Sequence, residues 1–248
     1  MNRTTWHLFL AGTMALAVLL SGCNRGVQWQ NATKCATLTR VDPKIQGAFA
    51  VPSVLGGQPV NTIGMLAFAE CRGLTAVTLP DSVEHIAEYA FVRCDSLASA
   101  DFGSSLRNIR DGAFWGCTNL ASVTIGDSAR YIGAKAFAFC VSLGAAPIPE
   151  GVNTIGEGAF EHCSALTSVL LPDSVGIIGK EAFRGCESLT TVTIGSGVTE
   201  IGRDAFADCG RLERVTVPAS WEGTWNLWGT GIPEGCEIVY RGAIPDGE

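Results

Sequence analysis

The chain is predicted to fold as an α+β repeat solenoid, with a parallel β-sheet on one side, short helical arcs on the other, a 23-residue period and about seven full repeats. Three observations predict it. Ala-Phe pairs recur without a slip at Ala67-Phe68, Ala90-Phe91, Ala113-Phe114, Ala136-Phe137, Ala159-Phe160, Ala182-Phe183 and Ala205-Phe206. In the same phase run Cys71, Cys94, Cys117, Cys140, Cys163, Cys186 and Cys209, each followed three residues later by Leu. Ile63, Ile86, Ile109, Ile132, Ile155, Ile178 and Ile201 add a further apolar column. So strict a repeat means one supersecondary unit stacked on copies of itself, each covering faces that a single unit leaves open.

In chain order, residues 1–22 read as a signal peptide. Arg3 is the only charge ahead of an apolar run from Leu8 to Leu20, which is too short to span a bilayer and ends in Leu20-Ser21-Gly22-Cys23. Those four residues resemble a bacterial lipobox, a signal in which the Cys becomes the first residue of the mature chain and carries acyl groups. The resemblance implies a lipoprotein held in the bilayer through Cys23, at the outer membrane or surface rather than facing the periplasm. Each buried acyl CH₂ contributes roughly 0.8 kcal/mol to that anchoring. Residues 23–34 read as a tether.

Residues 35–59 read as an N-terminal cap, a β-hairpin of Cys35 to Val41 and Ile45 to Val51 across Asp42-Pro43-Lys44. Residues 60–220 hold the repeats. Ile63, Ala67 and Cys71 fall at i, i+4 and i+8 with Phe68 beside them, the spacing of one helix face. Val77 and Leu79 alternate with Ala76 and Thr78, the pattern of a strand buried on one side. Pro80-Asp81-Ser82 and Pro172-Asp173-Ser174 turn the chain back. Residues 221–248 form a C-terminal cap in which Trp221, Trp225 and Trp228 cover the last open face. Ile238 and Tyr240, 23 residues after Val215 and Val217, supply an in-phase final strand.

Residues 186–206 show Cys186, Leu189, Val192, Ile194, Val198, Ile201-Gly202 and Ala205-Phe206, with Gly195 where a Pro belongs. The pattern resembles the treponemal-type, or BspA-like, leucine-rich repeat family over roughly residues 45–242. That resemblance implies a leucine-rich-repeat stack, and a membrane-anchored protein-binding module of the bacterial envelope used in adhesion to a host or partner.

Several function classes are excluded. A net charge of −7 with no basic stripe excludes nucleic acid as a partner. No nucleophile elbow, P-loop, dinucleotide fingerprint or His-Glu metal motif occurs, so neither an enzyme nor an organic cofactor is expected. The cysteine column reads as small buried hydrophobes, because stacked equivalents point the same way rather than toward each other. Thiols in a line without a flanking His column predict no metal site. His85 and His162 fall on different sides of the coil and read as surface residues.

Two surfaces remain for binding. On the arc, Val92, Trp115, Ala138 and Phe139 come together as an exposed apolar patch. On the strand side, the outward column includes Thr124, Pro147, Leu170 and Thr193, with Pro147 expected to disturb the sheet. The occupant is an unknown protein ligand or a second copy. The second case would make the chain a structural envelope protein that self-associates.

Overall fold

The structure, a computed structural model, describes residues 15–19, 26–32, 34–223, 227 and 229–241. Two parallel ladders and an arc make up each turn. In the first ladder the Ile column stacks, with Ile63 opposite Ile86, Ile109 opposite Ile132 and Ile178 opposite Ile201. In the second, Gln46–Ala50, Gly73–Thr78, Ser99–Asp101 and Ser122–Thr124 form one four-stranded sheet. Ser168–Leu170, Thr191–Thr193, Arg214–Pro218 and Glu237–Arg241 form another. Only a bridge between Ala145 and Ser168 reaches the coil that separates them. The break falls on Pro147, which has no amide hydrogen to give a ladder.

The predicted helical arcs are absent. Among the described residues the one helical element is the 3₁₀ turn Ala219–Trp221, and the chain is a β-solenoid of about nine turns. The backbone explains why. Each arc carries two left-handed residues four apart: Leu66 and Glu70, Tyr89 and Arg93, Gly112 and Gly116, Lys135 and Phe139, Gly158 and His162, Glu181 and Gly185, Asp204 and Asp208. A right-handed helix cannot pass through such residues. Its amides alternate instead. Those of Ala67, Ala69 and Cys71 close turns onto Gly64, Leu66 and Phe68 three residues back, at 3.1–3.2 Å. Those of Leu66, Phe68 and Glu70 cross to Glu88, Ala90 and Val92 of the next coil, at 2.7–3.3 Å. A helix would spend every amide within itself, whereas these turns give half to the neighbour and so zip the coils together.

The front of the molecule also corrects the sequence reading. Ala36–Val41 pairs with Gln58–Ile63 and Gln46–Ala50 with Gly73–Thr78, so the two runs lie in different ladders and form an extra first coil, not a hairpin. The tether reading of residues 23–34 gives way as well. Gly26–Asn31 pairs antiparallel with Ala36–Val41, and its alternation buries Val27 and Trp29. Val54–Leu55 forms a small hairpin with Gln58–Ile63, whose turn residues Gly56 and Gly57 both take positive φ as a type I′ turn demands. Ala15–Leu19 pairs antiparallel with Gly26–Asn31. Cys23, Trp225 and Trp228 lie outside the described residues, and no helix among those described is long and apolar enough to cross a membrane.

At the rear, Val215 pairs with Ile238 and Val217 with Tyr240, and Trp221 is buried. The arc stays in phase too, since the amides of Asp204 and Phe206 reach the carbonyls of Gly229 and Thr230 at 2.8 Å. Down the centre the seven phenylalanines form one stack, from Phe68–Phe91 at 4.5 Å to Phe183–Phe206 at 5.5 Å between centroids.

Candidate protein-binding surface

Beside that stack the seven cysteines of the repeat column, Cys71 to Cys209, are fully buried and free. From Cys94 onward each thiol donates to the carbonyl of the phenylalanine 26 residues earlier, as from Cys94 to Phe68 at 3.0 Å, Cys117 to Phe91 at 3.1 Å and Cys209 to Phe183 at 3.2 Å, while Cys71 turns to Asp42 at 3.9 Å. The same carbonyl already accepts a turn amide, as Phe68 does from Cys71 at 3.1 Å. Cys is thus a small apolar side chain that also feeds the second lone pair of a buried carbonyl. Burial holds the Cys117 and Cys140 thiols in their protonated form and pushes Cys163 up to about 12, which makes them poor nucleophiles.

The turn aspartates play a similar stacking role. Asp81 accepts from the Ser104 amide at 2.8 Å and from its hydroxyl at 2.9 Å, and Asp173 accepts from the Ser196 amide at 2.7 Å. These backbone hydrogen bonds hold both carboxyls below the usual carboxylate range. His85, whose Nδ1 lies 2.9 Å from the Asn108 amide nitrogen, is half-buried, and burial lowers its pKa. Among the described residues no three His, Cys, Asp or Glu side chains gather as a metal-binding group.

The solvent face of the arc holds the predicted patch, with one change. Phe139 is exposed and Trp115 and Val92 are half-buried, but Ala138 is fully buried and adds no contact surface. The Trp115 and Phe139 rings meet edge to face at 5.9 Å, and Phe139 stacks on His162 at 4.9 Å. His162, 23 residues after Phe139, therefore extends the aromatic row. Sequence reasoning also missed Met65, Leu66 and Tyr89, which are 59%, 50% and 46% exposed and lie on the same face. Tyr89 spreads over Gly112, where an added Cβ would run into the ring. The four glycines in the two left-handed columns were the available signal for this backbone.

The strand-side column is less coherent. Leu170 is 63% exposed and Thr124 is exposed, while Pro147 and Thr193 are half-buried. Thr124 ends one sheet and Leu170 begins the next, so the four residues do not share a ladder.

A parallel solenoid in which seven successive coils each contribute a buried Leu and a buried Cys belongs to the leucine-rich repeat class. The BspA type leucine rich repeat region matches in six copies over residues 53–167 and 153–224, and the chain belongs to that family. A solved leucine-rich repeat protein of T. pallidum is 28% identical, over 85% of this chain and 89% of that one, with a TM-score of 0.59. Leucine-rich repeat proteins solved from Bacteroides ovatus ATCC 8483 (20% identical, 94% and 76% covered) and Bacteroides capillosus ATCC 29799 (25%, 71% and 96%) give TM-scores of 0.44 and 0.36. No curated protein matches the chain.

Proposed function

We propose that the chain is a non-enzymatic protein-binding module of the bacterial envelope, anchored in the membrane through acyl groups on Cys23 and serving adhesion to a host or partner surface. The observation that carries the binding half is the apolar run on the arc of the first four repeats: Met65, Leu66, Tyr89, Val92, Trp115 and Phe139. A rigid face that presents aromatic rings in water is the composition of a contact hot spot. Family membership and the 28% identical T. pallidum repeat protein support the reading. The anchor rests on the lipobox likeness alone.

Self-association is the second reading, favoured by the same rings, since an exposed aromatic row serves a second copy as well as a foreign partner. A pull-down with the full chain as bait, run beside Trp115→Glu, tests the first reading. Partners lost with Trp115→Glu support it, and partners retained in full overturn the patch. Light scattering separates the second reading, which expects an oligomer that Trp115→Glu dissolves. Metabolic labelling with a palmitate analogue tests the anchor: label on the natural chain and none on Cys23→Ser is the expected result.

A further inference from the structure

The front end of the arc face holds a groove of about 510 Å³ between the first coils, with Leu66, Ala69 and Val92 as apolar walls and Arg40, Arg72 and Arg93 around them. Arg72 is committed, to Glu70 at 3.8 Å and Asp95 at 3.6 Å. Arg40 and Arg93 are exposed, and among the described residues neither makes an ion pair or a side-chain hydrogen bond. The contrast with the rear is direct, because there Arg184 is held by Glu181 at 3.4 Å and Asp208 at 3.0 Å. Two free guanidiniums beside one apolar groove, in a chain of net charge −7, mark a local site for negative charge.

We propose that this groove binds an extended segment of a partner protein that places an Asp or Glu side chain next to a branched or aromatic apolar one. The proposal rests on the arc face being a protein-contact surface, and names the chemistry of its partner. A guanidinium presents a planar fork that matches a carboxylate through paired N–H donors. The apolar walls need a side chain of their own to cover, and a peptide supplies both in adjacent residues. Glu70 also lines the groove but is taken up by Arg72 at 3.8 Å, which leaves Arg40 and Arg93 as the unpaired charges there.

The test uses the full chain and short fluorescein-labelled peptides read by fluorescence anisotropy. One set pairs Leu or Phe with Asp and Glu, and a control set replaces the acids by Asn and Gln. The acidic set is expected to bind at least about tenfold more tightly, an advantage worth about 1.4 kcal/mol or more. The Arg40→Glu, Arg93→Glu double variant is expected to erase that advantage. Both residues are exposed, so circular dichroism should show an unchanged fold. Trp115→Glu is expected to leave the acid preference intact while weakening both sets. Equal binding of the two sets, an acid preference that survives the double variant, or adsorption to phosphatidylglycerol vesicles in place of the peptides would each overturn the proposal. Loss of peptide binding with Trp115→Glu but not with the arginine variant would sink this inference alone. Indifference to both variants would sink the contact surface itself.

Discussion

The front and rear halves of the arc share one backbone and differ in what dominates the face they show to water, apolar rings in front and paired charges behind. Repeats one to four present Leu66, Tyr89, Val92, Trp115 and Phe139. Repeats five to seven present Glu161, Glu181, Arg184, Asp204 and Asp208, tied by pairs such as Lys180–Glu181 at 3.2 Å and Arg184–Asp208 at 3.0 Å. Beneath both halves run the same phenylalanine stack, the same thiol-to-carbonyl bonds and the same crossing amides. The difference teaches that the repeat specifies the stack, while the departures from it specify the face. On the proposed function, the charged, internally paired surface stays in water and the apolar one with its free guanidiniums is the one that makes contact.

Substitutions can break or sharpen that comparison. The largest effect is expected where the halves are alike. Phe114→Ala and Phe183→Ala remove one ring from the stack, and each should lower unfolding stability by about 3–5 kcal/mol in urea titrations. Markedly unequal losses would show that the halves are not equivalent beneath the surface. Next, Cys140→Ala removes the thiol that donates to Phe114 at 3.3 Å, and a loss of about 1–2 kcal/mol is expected. Native protein should also leave this thiol unreactive toward a disulfide reagent until it unfolds.

The left-handed columns give opposite signs in the two places tested. Gly112→Ala puts a Cβ where φ is +61° and against Tyr89, so a loss of about 1–2 kcal/mol is expected. Lys135→Gly, in the same column at φ 54°, relieves that strain and should raise stability by up to about 1 kcal/mol. Smaller still, Arg184→Ala should lower the urea midpoint slightly at low salt and less in 1 M salt, because its pairs lie at the surface where salt screens them.

The pH dependence has a definite sign. Asp81 and Asp173 have carboxyls lowered in the folded state by backbone hydrogen bonds. Their contribution is therefore complete above the ordinary carboxylate value of about 4 and is lost as pH falls through the lower folded value. The urea midpoint of the Asp81→Ala, Asp173→Ala variant should accordingly fall less than that of the natural chain below pH ~4.

Much of this was legible because burial enforces periodicity. Phe68 to Phe206, Cys71 to Cys209 and Leu74 to Leu212 can vary little when each must fill the same space in every coil. The arc backbone was not legible from Ile63, Ala67 and Cys71, because a run of alternating turns puts i, i+4 and i+8 on one face just as a helix does. Only the glycines at 112, 116, 158 and 185 betray the left-handed positions. Asp42-Pro43-Lys44 misled in a similar way, as a coil corner and a hairpin loop use the same turn residues. Val27 and Trp29 do alternate with Gln28 and Gln30, the period of a strand with one buried face. At the surface, Val92, Trp115 and Phe139 were readable as neighbours from the repeat. Leu66 and Tyr89 were not, because their exposure depends on a left-handed residue turning the side chain outward.

Site-specific photo-crosslinking on cells making the full chain tests the contrast between the halves most directly. A benzophenone side chain at position 115 is expected to yield a discrete protein adduct, and the same group at position 184 none. An adduct at 184 with none at 115 would contradict the account.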